Sequence, residues 1–258
     1  MLRGVSAVFE GRHLVLGPNG SGKTTLFRVV SGLLPYRGRV EIDGRPLEEV
    51  RGAVGLLATN LAEVYSLAPV KALELLHLFS DLAGVDSARA LALLEELGVG
   101  GELLGKRRLW ELSAGTRKAF TTALALAAGA RNVLLDEPFE QLDPAKKVRL
   151  VNELRACSSV VVVNTHETWV LEVLPDWEVY LAFEGRLYGP VSAWRLENAV
   201  VVEGRSDDAL LTVETRAGCF SIVEGGGGRT LTELLTLDRV YELLTSASVR
   251  ESLRGGRG

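Results

Sequence analysis

Residues 17–24 read Gly-Pro-Asn-Gly-Ser-Gly-Lys-Thr, and this octet constrains the fold more than any other stretch of the 258-residue chain. It fits the pattern G-x-x-x-x-G-K-[ST] and follows the apolar run His13-Leu14-Val15-Leu16. A helix is predicted directly after it, over Thr24–Leu34. A strand, a glycine-rich turn and a helix in that order cradle phosphate: backbone N–H groups converge on the anion, and the helix adds the positive end of its dipole. Glycine is required because side chains would block the approach. The expected contacts with the phosphate chain involve Gly17, Pro18, Asn19, Gly20, Ser21, Gly22, Lys23, Thr24 and Thr25. Lys23 reaches the terminal phosphates, and the Thr24 hydroxyl ligates magnesium.

A second acidic element supports this reading. Asn132-Val133-Leu134-Leu135 is an apolar run ending in Asp136-Glu137-Pro138, and Val160–Val163 is another such run. Near-continuous hydrophobic strands are expected at the centre of a parallel sheet buried on both faces. Asp136 is placed to hold a hard divalent cation through oxygen, and Glu137 to act as general base toward a water. The stretch from Val70 to about Gly98 changes to helical periodicity, with Leu73, Leu76, Leu91, Leu94 and Leu97 at three- and four-residue spacing. Shorter strands are expected at Val40–Ile42 and Val54–Leu57, and a helix over Ser113–Ala128.

After Gly189-Pro190 the texture changes to short strands at Ala199–Val202, Leu210–Thr215 and Cys219–Val223. A capping box, Thr230 with Glu233, is expected to open a helix to about Thr245. The fold class is therefore α/β: a P-loop NTPase-like core with a parallel sheet, an inserted helical subdomain over about 61–115, and a small β-rich appendage. The expected domains are 1–189 and 190–258.

Composition narrows the function classes. Hydrophobic residues make up 47% and charged residues 24%, with a net charge of -4. That balance gives no broad positive field for a nucleic-acid partner. Cys157 and Cys219 are expected to be buried free thiols, too few and too distant for a disulfide framework. No apolar stretch approaches the ~20 residues a helical membrane span needs, and the N-terminus lacks a signal-peptide pattern.

Taken together, the motifs resemble those of the ABC ATPases. Leu112-Ser113-Ala114-Gly115-Thr116 stands in the place of that family's LSGGQ signature, and Asp136-Glu137 follows at the usual distance. Leu142-Asp143 is similar to the D-loop, and Val162-Val163-Asn164-Thr165-His166 to the strand with the switch histidine. The resemblance runs from Met1 to about Gly189 and implies a head-to-tail dimer with ATP and Mg2+ at the interface. Ser113, Ala114 and Gly115 of one subunit would face the nucleotide of the other. His166 would hold the catalytic geometry with Glu137, and Asp143 would communicate across the dimer.

The implied partners are an integral membrane permease and an identical or related ATPase subunit. The implied location is the cytoplasmic face of the cell membrane, reached through the permease. Three positions depart from the family pattern. Ala114 and Thr116 replace glycine and glutamine, and Ala58-Thr59-Asn60 stands where the Q-loop glutamine is expected, leaving Thr59 or Asn60 as a shorter oxygen ligand. The aromatic strand that usually precedes Leu2 is expected to be absent, so adenine stacking would fall to another ring, Phe9 or one from the C-terminal domain. The alternative function is a soluble ABC ATPase in nucleic-acid maintenance or cofactor assembly, working without a permease.

Overall fold

The computed structural model describes residues 2–66, 68–216, 218–225 and 229–231. The helix expected from Thr230 to about Thr245 lies almost wholly outside the described residues. Along the chain the elements are β1 (Arg12–Leu16), α1 (Lys23–Val30), β2 (Glu41–Ile42), β3 (Arg45–Pro46), α2 (Leu47–Val50), β4 (Leu57–Thr59) and α3 (Ala62–Tyr65). There follow α4 (Ala72–Ala83), α5 (Ser87–Glu96), α6 (Gly101–Lys106), a 3-10 turn at Leu109–Glu111, α7 (Ala114–Ala127), β5 (Asn132–Asp136), α8 (Pro144–Ala156) and β6 (Val160–Thr165). The last are α9 (Val170–Val173), β7 (Glu178–Phe183), β8 (Arg186–Ser192), α10 (Ala193–Glu197), β9 (Ala199–Glu203), β10 (Ala209–Thr215), β11 (Gly218–Glu224) and β12 (Arg229–Thr230).

The chain divides into two units, one built mainly from residues 24–164 and the other from 13–23 with the segment after 165. In the first, β4, β5 and β6 lie parallel, with Leu57 opposite Asn132 and Asp136 opposite Asn164. The apolar runs of β5 and β6 are buried on both faces, as parallel strands beneath helices must be. Helix α7 is buried from Ala119 to Ala127, with Phe120 and Leu124 fully enclosed. It carries Lys118, Thr121 and Thr122 toward the end of β5.

The helical stretch expected over Val70 to about Gly98 is made of two helices, α4 and α5. Gly84 adopts a left-handed φ of 68° and ends α4, its N–H donating to the Ser80 carbonyl, a glycine stop of the kind that satisfies orphan carbonyls. Asp86 then caps α5 by accepting from the Arg89 N–H at 3.0 Å. Two expectations need correcting. The helix after the glycine-rich loop ends at Val30, where Gly32 turns the chain at a φ of 72°. The strand expected at Val54–Leu57 begins only at Leu57, because Gly52 and Gly55, with φ of 78° and 76°, make a turn that leaves Val54 exposed.

In the other unit β1 pairs parallel with β7, from His13 opposite Glu178 to Leu16 opposite Leu181. β7 turns back into antiparallel β8 through Glu184-Gly185. A four-stranded antiparallel sheet follows in the order β10-β11-β9-β12, with Phe183 packed edge-on against Phe220 at 5.5 Å. Cys157 is buried as expected, whereas Cys219, on β11 of this small sheet, is only half-buried.

Candidate functional site

The glycine-rich loop is held from outside by its own unit. A side chain at Gly17 would place a Cβ 2.3 Å from the Ala182 carbonyl oxygen, so β7 leaves room for glycine alone. Gly20 and Gly22 take φ of 81° and 108°, values that favour glycine. The Gly185 N–H donates to the Ser21 carbonyl at 2.8 Å, and Leu2 covers Gly22 from the same side. Lys23 is buried, and its ammonium donates to the Gly17 and Pro18 carbonyls at 2.7 and 3.2 Å. Ser21 Oγ is buried and has no hydrogen-bond partner among the described residues. A buried hydroxyl in that position calls for a polar ligand, and a phosphate oxygen meets the need. Asn19 and Gly20 are exposed at the loop's tip, and Thr25 is half-buried in the first turn of α1.

The acidic end of β5 lies against the first turn of that helix. Thr24 Oγ1 donates to Asp136 Oδ1 at 2.9 Å, which brings together the two oxygens expected to hold a cation. Among the described residues there is no group of three His, Cys, Asp or Glu that could hold a metal. A site offering a hydroxyl and one carboxylate suits magnesium, which keeps waters and shares phosphate oxygens rather than filling an all-protein cage. The residues therefore fit the group.

Asp136 is fixed on every side. Asn164, fully buried on β6, donates from Nδ2 to Asp136 Oδ1 at 2.5 Å and accepts from the Glu137 N–H at 3.2 Å. Asn60 is also buried: its Oδ1 accepts from the Asp136 N–H at 2.7 Å, and its Nδ2 donates to Thr122 Oγ1 and to the Asp136 carbonyl. Thr59 Oγ1 accepts from the Leu61 N–H, and its carbonyl accepts from Tyr65 Oη at 2.7 Å. Burial pushes the Tyr65 hydroxyl well above its ordinary value, so it remains a donor. Both residues at the expected Q-loop position are thus turned toward their own protein.

Glu137 is half-buried and has a left-handed φ of 44°, unusual for a residue with a side chain. Its N–H is anchored on the Asn164 carbonyl at 2.9 Å. Such a conformation persists only where the surroundings impose it, and active sites are where it collects. Gln141, with φ 63°, is a second case: a Cβ on Gly115 would stand 2.9 Å from Gln141 Oε1, so the start of α7 presses on the segment after Glu137.

Ser113 caps α7 by accepting from the Thr116 N–H at 3.2 Å and sharing a hydrogen bond with Thr116 Oγ1. Ser113 and Ala114 are exposed. Asp143 caps α8 in the same way, accepting from Lys146 N at 3.0 Å; that bond and the Lys146 ammonium hold its carboxyl below the ordinary value. His166 follows β6 and is half-buried.

Lys118, Asn164 and Thr122 were not among the residues expected from the sequence. The signal available for Asn164 and Thr122 was a polar side chain inside an otherwise buried apolar element. Lys118 gave no such signal.

A family model described as ABC transporter matches residues 7–140. The chain belongs to the ABC transporter family. Among its relatives, the energy-coupling factor transporter ATP-binding protein EcfA1 of Thermotoga maritima is 32% identical over 192 residues, covering 70% of this chain and 71% of that protein. The taurine import ATP-binding protein TauB of Escherichia coli K12 is 36% identical over 148 residues, 55% of this chain and 56% of TauB. A crystal structure described as a candidate cobalt transport ATP-binding protein superposes with a TM-score of 0.85 at 36% identity, covering 92% of this chain and 90% of that one. The P-loop ABC ATPase fold is shared with these proteins. Among the described residues no helix is long and apolar enough to cross a membrane.

Proposed function

We propose that this ABC protein binds and hydrolyses ATP to energise a membrane transporter, as a head-to-tail dimer with nucleotide at the interface. The observation that carries the proposal is the 2.9 Å hydrogen bond from Thr24 to Asp136, which joins the end of the phosphate loop to the acidic strand end. The backbone amides of residues 17–24 and Lys23 bind the phosphate chain of ATP. Thr24 and Asp136 hold magnesium, which when bound neutralises charge on the phosphate oxygens. Glu137 takes the proton of the attacking water as its oxygen bonds to the γ-phosphorus. The bond from that phosphorus to the β–γ bridging oxygen breaks, and ADP leaves with the electron pair. Catalysis of this kind rests on positioning and charge stabilisation.

Ser113 and the amide of Gly115 contact the γ-phosphate bound by the partner subunit; exposure at the start of a 14-residue helix supports that role. Asp143 and His166 couple the two sites. The working assignment is an ATP-binding domain over 1–189 with an accessory segment over 190–258. The protein sits at the cytoplasmic face of the membrane, bound to a permease subunit through its helical subdomain, and the ATPase partner is an identical or related chain. The names of the relatives support this reading.

The test is light scattering of the Glu137→Gln variant, combined with co-expression beside membrane-spanning proteins encoded nearby. Mg-ATP should convert the variant from monomer to dimer, and a permease should co-purify. A variant that binds Mg-ATP yet stays monomeric, with no permease retained, contradicts the proposal and favours the soluble alternative.

A further inference from the structure

We propose that Lys118 acts as a built-in cation of the magnesium site, positioning Asp136 and sharing with the metal the neutralisation of the phosphate charge. This inference rests on the nucleotide reading above.

Lys118 stands on the second turn of α7, and its side chain is only 22% exposed. Its Nζ donates to the Asp136 carbonyl oxygen at 2.7 Å and lies 4.0 Å from Asp136 Oδ2. The other carboxylate oxygen, Oδ1, takes hydrogen bonds from Thr24 and Asn164. The cleft beside it is lined by Arg28, Asn60, Glu63, Lys118 and Asp136. Across it, partial burial pushes the Glu63 carboxyl up, yet its own backbone N–H, the hydrogen bond from Arg28 and the charges of Arg28 and Lys118 hold it below its ordinary value. The ammonium of Lys118 therefore acts electrostatically on both carboxylates of the cleft.

The side chains at the expected Q-loop position are committed to other partners. Asn60 spends its amide on the Asp136 backbone and Thr122, and Thr59 Oγ1 serves the Leu61 N–H. The side chain that does approach the Asp136 carboxylate from this direction carries a positive charge, not a neutral amide. A fixed charge beside a metal-binding carboxylate has two consequences by Coulomb's law. It attracts the phosphate chain when no metal is bound, and it repels a divalent cation. Both effects reduce the factor by which magnesium strengthens nucleotide binding.

The experiment measures the dissociation constant of a fluorescent ATP analogue with saturating Mg2+ and with EDTA, for wild type, Lys118→Gln and Lys118→Arg. Melting temperatures of the ligand-free proteins are recorded alongside. The dissociation constant in EDTA divided by that in Mg2+ should rise about tenfold in Lys118→Gln, an effect expected for one charge at this range in a partly hydrated site. It should return toward wild type in Lys118→Arg. A ratio unchanged in Lys118→Gln overturns the proposal, even if the melting temperature falls, because a purely structural lysine would lower stability without moving the magnesium linkage. An equal rise in Lys118→Arg also overturns it, since that variant keeps the charge. Wild type that binds the analogue under neither condition would instead sink the nucleotide reading on which the inference rests.

Discussion

Thr24 and Asp136 lie 112 residues apart in the chain, yet the threonine hydroxyl donates to the aspartate carboxylate at 2.9 Å. The contact ties the first turn of α1 to the end of β5. Asn60, just past the end of β4, holds the Asp136 backbone, and Asn164 on β6 donates to its carboxylate, so the carboxylate is oriented before any ligand arrives.

Lys23 is the first test of the phosphate loop. Replacement by alanine removes the buried ammonium that now rests on the Gly17 and Pro18 carbonyls. Affinity for ATP should fall at least about tenfold, as expected for loss of one charge-assisted contact. Equilibrium binding by fluorescence reads this, with far-UV circular dichroism showing an intact fold.

Gly17→Ala should be more damaging than its size suggests. Its Cβ would lie 2.3 Å from the Ala182 carbonyl oxygen, and a backbone atom cannot step aside as a flexible side chain can. The loop must shift, so ATP binding should be lost while the melting temperature falls. Binding at wild-type strength would show that β7 does not fix the loop.

Asn60→Ala leaves the Asp136 N–H, a buried donor, without its side-chain partner. An unsatisfied buried group costs about 1–3 kcal/mol. Urea unfolding should record a loss of that size. Asn60→Gln, which restores an amide one methylene longer, should recover only part of it, because the site offers little spare volume.

Asn164→Val deletes the donor to Asp136 Oδ1 and the side-chain acceptor of the Glu137 N–H, in a fully buried position. Valine suits a central parallel strand, but the buried Asp136 carboxylate loses a donor, so stability should fall by about 1–3 kcal/mol. Turnover should fall as Asp136 and Glu137 lose their orientation. Steady-state ATPase assays with a thermal melt separate the two effects.

Much of this was legible in the amino-acid order. The octet at Gly17–Thr24 and the apolar strand ending in Asp136-Glu137 declared themselves, because their chemistry demands fixed residue types at fixed spacing. What was not legible has physical reasons. The periodic leucines around Gly84 continue on both sides of it, so the pattern could not show that a left-handed residue ends α4. Val54 is apolar and stands in a run, yet two glycine turns move the strand three residues on. Lys118 resembles any lysine on a helix surface; only the packing of α7 against the end of β5 reveals where its ammonium goes. The left-handed conformation of Glu137 likewise accompanies the anchoring of its N–H on the Asn164 carbonyl and is not marked by a glycine.

The most direct test is phosphate release from Mg-ATP by the purified wild-type protein and by Glu137→Gln, with nucleotide binding measured on both. Wild type should turn over, and the variant should bind ATP at similar strength while its rate falls at least about 100-fold, the lower range for loss of a general base. Equal rates in the two proteins, or binding without any turnover in wild type, would contradict the assignment of hydrolysis to this site.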